Sequence, residues 1–394
     1  MMRYRLLVSL VAGMVLIRHG RGRLLAPPAP ADAPPRVWLH GASNGELASV
    51  RPILMQLIAA RPDLGWLVTS NTESARDMVR AWSLPGVEAE VAPVDLRRLS
   101  RKVMQDWRIV AHITLEAELW PHRVMTCKGP VLWLGARMSA ATARGWARLG
   151  TLAGRVVKRI GWVSPQDEAS RDRMLKLGLP EAAMGPVVDL KAFYDAPGVE
   201  APEGLIRESC WLAASTHDGE EQTVLQAHRA ARQREPDLRL VLAPRHPRRA
   251  PEIRAMIEAA GLSAGQRSRG DRPEVGDVYL ADTMGEMPLW YAGCGRVFVA
   301  GSLTDRGGHT PYEPAAFGAA LIHGPDLRNF RAAYDRLEAA SAALCITDAE
   351  ELAKALNALR SRQQAAGQAA RIALRPETDL KTVCDLLLQK LPNA

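Results

Sequence analysis

Short runs dense in β-branched and aromatic residues alternate along this chain with longer stretches of helical spacing. In the first half the runs are RVWLH from Arg36, WLVTS from Trp66, VEAEVAP from Val87, RIVAHIT from Arg108 and PVLWL from Pro130. Helices are predicted between the first of them, near Glu46 to Ala60 and from about Glu73. The pattern breaks at DAPGVEAPEG, Asp195 to Gly204, and then restarts with CWLAAS, LRLVLAP, DVYLAD, RVFVAG and ALIHG, with helices expected from about Asp218 and after Pro247. Strands alternating with helices predict parallel sheets covered on both faces, here in two domains, 36–195 and 205–394. In open parallel sheets ligands bind beyond the carboxyl ends of the strands, so the loops that follow these runs are where chemistry is expected.

Composition changes this picture at one end of the chain only. Hydrophobic residues are 47% and charged residues 24% of the 394, ordinary for a globular chain. The net charge of +8 is uneven, because residues 1–35 hold five arginines against one aspartate. Arg3 and Arg5 precede an uncharged run from Leu6 to Ile17, and Arg18, Arg21 and Arg23 follow it. Twelve residues are too few to span a bilayer as a helix, for which roughly 20 are needed. Arginines also stand where a signal-peptide cleavage site would be small and neutral. The segment 1–25 is therefore expected to associate with an anionic membrane surface, with APPAPADAPP, 26–35, as a Pro-rich tether. The five isolated cysteines contain no CxxC pair, which argues against a disulfide framework or a structural zinc.

Four loops of the second half share a character. STHDGEE brings Ser215, Thr216 and His217; PRHPRR brings Arg245 and His246; DTMGE brings Gly285 and Glu286; SLTDRGGHTPYEP brings Gly307, Gly308, His309, Thr310 and Glu313. Arginine and free amides at helix starts suit a phosphate, and a carboxylate suits ribose hydroxyls, so a nucleotide is the expected ligand. In the first half, HGASNGEL places Ser43, Gly45 and Glu46 after the first strand. Glu46 reads equally as a first-turn acid favoured by the helix dipole and as a general base. TLEAELWPH places Glu116 and Glu118 on one side of an extended segment, with Arg137 of GARMS as their expected cationic partner. No metal site is expected.

Taken in order, SNGE, EAELWP, GARMS, DLK at Asp189 to Lys191, and the four loops resemble bacterial 3-deoxy-D-manno-octulosonic acid (Kdo) transferases nearly end to end. The resemblance implies a GT-B fold of two Rossmann-like domains, the first for the acceptor and the second for CMP-Kdo. It implies transfer of Kdo to a lipid A precursor in lipopolysaccharide synthesis, inverting and without metal or other cofactor, at the cytoplasmic face of the inner membrane. Nucleic acid is not among the implied partners. By motif, Glu46 is the general base, Arg245 with the amides near Gly307 and Gly308 the charge stabilisers, Glu313 the ribose ligand, and Lys191 part of the donor site. Departures fall at Ala42 and Asn44, in HGASNGE where the family reads HxVSVGE, at Thr310 and Tyr312 in GGHTPYEP, and in VDLKA, which lacks a glycine. They leave open a different sugar donor or acceptor, or a non-catalytic paralogue.

Overall fold

A computed structural model describes residues 22–30 and 34–393. The predicted membrane segment falls mostly outside these. The described chain forms two compact units, one containing residues up to Phe193 together with Pro376 to the end, the other Tyr194–Arg375.

The first unit is built on six parallel strands: β1 (Arg36–His40), β2 (Gly65–Ser70), β3 (Val87–Val91), β4 (Ile109–Leu115), β5 (Val131–Ala136) and β6 (Trp162–Pro165). Their order is β3-β2-β1-β4-β5-β6. Strands buried on both faces explain the near-continuous apolar runs. In β1, Val37 and Leu39 join Leu47, Ile53, Leu54 and Leu57 of the helix Asn44–Ala60. Trp38 between them points the other way, into a cluster with Val103, Val124, Trp133 and Val156. Chain order reverses between β1 and β4, so the loops after these two strands diverge at the switch point, where open sheets place their ligands.

The second unit has seven parallel strands: β7 (Cys210–Thr216), β8 (Arg239–Pro244), β9 (Ala264–Gln266), β10 (Val278–Leu280), β11 (Arg296–Val299), β12 (Ala320–His323) and β13 (Ala343–Cys345). Their order is β13-β12-β11-β7-β8-β10-β9, which puts a switch point between β7 and β11. The chain is thus a two-domain α/β protein of the GT-B class, as the sequence predicts.

Two boundaries differ from expectation. The C-terminal helix Leu380–Leu388 covers the first sheet, not the second: Val383, Cys384, Leu387 and Leu391 join the core around Ile53, and Arg61 donates to the Pro392 carbonyl at 3.0 Å. Its apolar stripe at i, i+4 spacing announces a buried face without naming the sheet that buries it. The expected tether is not free along its first half. Trp107 Nε1 donates to the Pro27 carbonyl at 3.1 Å, Val94 N donates to the Arg23 carbonyl at 2.9 Å, and Leu24, Ala26 and Ala29 pack on the Trp38–Trp133 cluster. Proline excludes helix but not docking.

Candidate active site

At the switch point of the first sheet, the loop after β1 turns into its helix through a reciprocal cap. Ser43 is the N-cap and accepts from Glu46 N at 3.4 Å. Glu46 folds back, its Oε2 accepting from Ala42 N at 2.7 Å. This resembles a capping box, with the amide before the N-cap in place of the N-cap's own, so the structural reading of Glu46 is correct as far as it goes. Its electrostatics go further. Burial, then the negative charges of Glu116 and Glu118, push its pKa up to about 7, against the pull of the Ala42 amide and of Lys191. A carboxylate that exchanges a proton near neutrality is what general-base catalysis needs.

The loop after β4 holds the other two carboxylates, and they do not share a partner. Glu116 lies at the end of the strand in a left-handed conformation, φ 42°, and pairs with Lys191 Nζ at 2.7 Å. Arg137 is not its side-chain partner; only the Arg137 backbone N–H meets it, donating to the Glu116 carbonyl at 3.0 Å. Within the first unit, the partner of Lys191 is thus the carboxylate that follows β4. Gly135 of GARMS makes room for this: it has φ +58°, and a Cβ there would lie 2.7 Å from Leu190.

Glu118 accepts from Trp120 Nε1 at 2.8 Å, Asn71 Nδ2 at 3.1 Å and His40 Nε2 at 3.1 Å. Burial alone would raise its pKa, but these donors outweigh it and hold the carboxyl down at about 2. Burial and the charge of Arg123 push His40 down to about 4. A neutral His40 with its proton on Nε2 satisfies Glu118, while its Nδ1 accepts from Thr69 Oγ1 at 2.9 Å. Glu118 is therefore a fixed anion, and Glu46 a switchable one.

In the second unit the loops after β7 and β11 meet through one buried carboxylate. Glu220, fully buried, accepts from the amides of His217, Gly301, Ser302 and Leu303 at 2.9, 2.8, 3.1 and 3.1 Å. His217 and His309 stack with centroids 5.1 Å apart and share an Nε2···Nε2 hydrogen bond of 2.9 Å. Burial pushes both rings below their ordinary value, His309 to about 4, so the pair carries one proton between the two facing nitrogens. His246 approaches His217 edge-on at 6.0 Å. Ser215 sits at φ 61° just inside the end of β7, where the register with β8 shifts, and the carbonyl of the strand's last residue, Thr216, accepts from Arg245 N at 3.0 Å.

The amides expected to cradle phosphate are already taken. Gly307 N donates to Asp326 Oδ2 at 2.7 Å, and Gly308 N to the Gly301 carbonyl at 2.7 Å. The glycines serve packing and turn geometry instead: Gly307 has φ +82°, and a Cβ there would lie 2.6 Å from the Asn329 side chain. Glu286 is also engaged, in a bidentate pair with Arg267 with contacts of 2.7 to 3.2 Å and a bond from Thr283, beside Gly285 at φ 84°. The exposed Arg245 and Arg306 side chains and the Glu313 carboxyl have no hydrogen bond or ion pair among the described residues. Burial raises the Glu313 carboxyl, with no donor to offset it. Thr310 stands half-buried between His309 and the short helix Tyr312–Ala316. The sequence reading missed His40, Asn71, Arg267 and Asp326. Glu220 lay inside a motif, but its spacing is that of an ordinary first-turn acid.

Residues 18–194 match the model of a family described as 3-deoxy-D-manno-octulosonic-acid transferase (kdotransferase). A curated 3-deoxy-D-manno-octulosonic acid transferase of Bordetella pertussis is 32% identical over 90% of this chain and 86% of its own. One from Haemophilus influenzae is 29% identical over 91% and 88%. Among solved structures, a Neisseria meningitidis UDP-GlcNAc 2-epimerase superposes with a TM-score of 0.59, covering 90% of this chain and 100% of that one at 12% identity, a likeness of fold alone.

Proposed function

Because the chain belongs to the Kdo transferase family of glycosyltransferases, we propose that it passes Kdo from CMP-Kdo to a hydroxyl of a lipid A precursor such as lipid IVA, with Glu46 as general base. The acceptor oxygen attacks the anomeric carbon of Kdo and its proton goes to Glu46. The bond from that carbon to the phosphate oxygen breaks on the opposite face, so configuration inverts, and CMP departs with the electron pair. The observation that carries this reading is a carboxylate at the sheet switch point held near neutrality by burial beside two further carboxylates.

Donor recognition follows from the groups left unpaired. Arg245, with Arg306 nearby in sequence to the β11 loop, supplies positive charge for the departing phosphate, a role that requires no metal. Glu313 accepts from ribose hydroxyls. The His217–His309 pair, Ser215 and Thr310 complete the wall of the nucleotide site, and Glu286 contributes through its pair with Arg267. On the acceptor side, Ser43 and Gly45 shape the base loop, while Glu118 and the Glu116–Lys191 pair offer fixed hydrogen-bonding groups to a polyhydroxyl acceptor. The altered Ala42 does not disturb the base, because its contribution is a backbone amide. Asn44 accepts from Ser74 at 3.1 Å, tying the helix start to its neighbour.

The basic N-terminal segment brings the chain to the cytoplasmic leaflet where such an acceptor resides, its arginines adding about 1 kcal/mol each near an anionic surface. The test is direct: purified protein with CMP-Kdo and lipid IVA releases CMP, and a folded Glu46→Gln variant does not. Release by that variant at the wild-type rate would reduce Glu46 to a helix cap. Tight binding of UDP in place of CMP would point to another donor.

A further inference from the structure

The N-terminal strap ends on the catalytic loop. Arg23 Nη2 donates to Asn71 Oδ1 at 2.8 Å and its Nε to the Ala92 carbonyl at 2.9 Å, while the Arg23 carbonyl accepts from Val94 N. Asn71 is a hub. Its side-chain Nδ2 donates to Glu118 at 3.1 Å, its backbone N donates to the Ala42 carbonyl at 3.1 Å, and Ala42 N in turn donates to Glu46 at 2.7 Å.

An asparagine amide has two faces of similar shape and opposite hydrogen-bonding character, so something must choose which meets Glu118. Arg23 makes that choice, because a guanidinium can only donate and therefore fixes Oδ1 toward itself and Nδ2 toward the carboxylate. The reverse flip would face oxygen with carboxylate. We propose that Arg23 and Asn71 form a clamp that positions Glu46 and Glu118, making the docked strap 22–30 part of the active site's support and not only a tether. Neither is a catalytic residue; both act through Ala42 and Glu118. The functional consequence rests on the assignment of Glu46 and Glu118 to the acceptor site, but the clamp itself can be tested without it.

Amide hydrogen exchange on the full chain provides the test. In Arg23→Gln, residues 41–47 should exchange roughly tenfold faster or more, as expected for loss of a charge-assisted hydrogen bond. Arg23→Lys, which keeps one donor, should restore part of the protection. Removal of residues 2–21 should leave it intact, because Arg23 remains. With CMP-Kdo and lipid acceptor, kcat should fall in Arg23→Gln while CMP affinity, a property of the second unit, stays at the wild-type value. Exchange of residues 41–47 within twofold of wild type in Arg23→Gln would overturn the clamp, as would equal loss of protection in Arg23→Lys and Arg23→Gln. Faster exchange together with full activity of Glu46→Gln would sustain the clamp and remove the catalytic reading instead.

Discussion

The two sheet switch points solve opposite electrostatic problems. In the first unit three carboxylates gather beside one another, and the fold separates them by partner: Lys191 neutralises Glu116, three neutral donors hold Glu118 ionised, and Glu46 is left half-buried with one backbone amide and a long contact from the Ser43 hydroxyl. In the second unit the recurrent device is a buried or half-buried acid that consumes backbone amides, Glu220 with four and Asp326 with one. What it leaves exposed are side chains. One site therefore offers a proton acceptor of adjustable charge, the other cations and an unpartnered carboxylate around loops already rigid. The difference teaches that a glycine-rich strand end is a phosphate cradle only when no internal carboxylate has reached its amides first.

The largest effect that would break this contrast is at Glu46. Glu46→Gln should lower kcat by 10²- to 10⁴-fold, the range for a general base, while calorimetry with CMP gives an unchanged affinity. A comparable loss of CMP affinity would mean that the two sites do not divide the work. Arg245→Ala should cost about 10²- to 10³-fold in turnover through the departing phosphate, and salt should weaken CMP binding less in the variant than in the wild type.

The pH dependence sharpens the comparison from the side of stability. Folded Glu46 titrates near 7 against an ordinary 4.5, so the folded state binds its proton more tightly than the unfolded state does. The contribution favours folding at low pH and is lost as pH rises through 7. Glu46→Gln removes the charge that folding disfavours, so its melting temperature should exceed that of wild type at pH 8, with the gap closing as pH falls toward 4.5. Wild-type activity should decline below about pH 7 as the base takes up a proton. Glu116→Gln removes one of the charges that raise Glu46 and should move that decline to lower pH. A decline unmoved by this change would leave burial and Glu118 as the causes.

Much of this was legible before the structure because burial on both faces writes strands as apolar runs. RVWLH, WLVTS, RIVAHIT and RVFVA each became an interior strand, and the loops after them carry the candidate site residues. Edge strands such as Ala264–Gln266 and Ala343–Cys345 were not, since three residues leave no pattern to read. Residue types were also easier to anticipate than partners. The sequence pairs Arg137 with the acidic loop, but the cation that arrives is Lys191, carried more than 50 positions further on and seated by the space Gly135 leaves for Leu190. Asn71 carried no signal, because a hub is defined by what its amide faces in space.

The smallest expected effect tests the quietest member of the second site. Glu313 has lost much of its hydration to burial, has no donor among the described residues to compensate, and sits at the start of the helix Tyr312–Ala316. A carboxylate so placed gains most from a ligand that brings hydroxyl donors, and a ribose brings two. Glu313→Gln keeps the shape and one acceptor oxygen, so it should weaken CMP binding by only about tenfold, the worth of a hydrogen bond to a charged group. Removing the 2′-hydroxyl from the ligand should cost the wild type a similar factor and cost the variant much less, because the two changes delete the same interaction. Calorimetric titration of both proteins with CMP and 2′-deoxy-CMP measures the coupling. If the two losses simply add, Glu313 does not read the ribose, and the contrast between a proton-accepting site and a ligand-reading site loses the unpartnered carboxylate on which its second side rests.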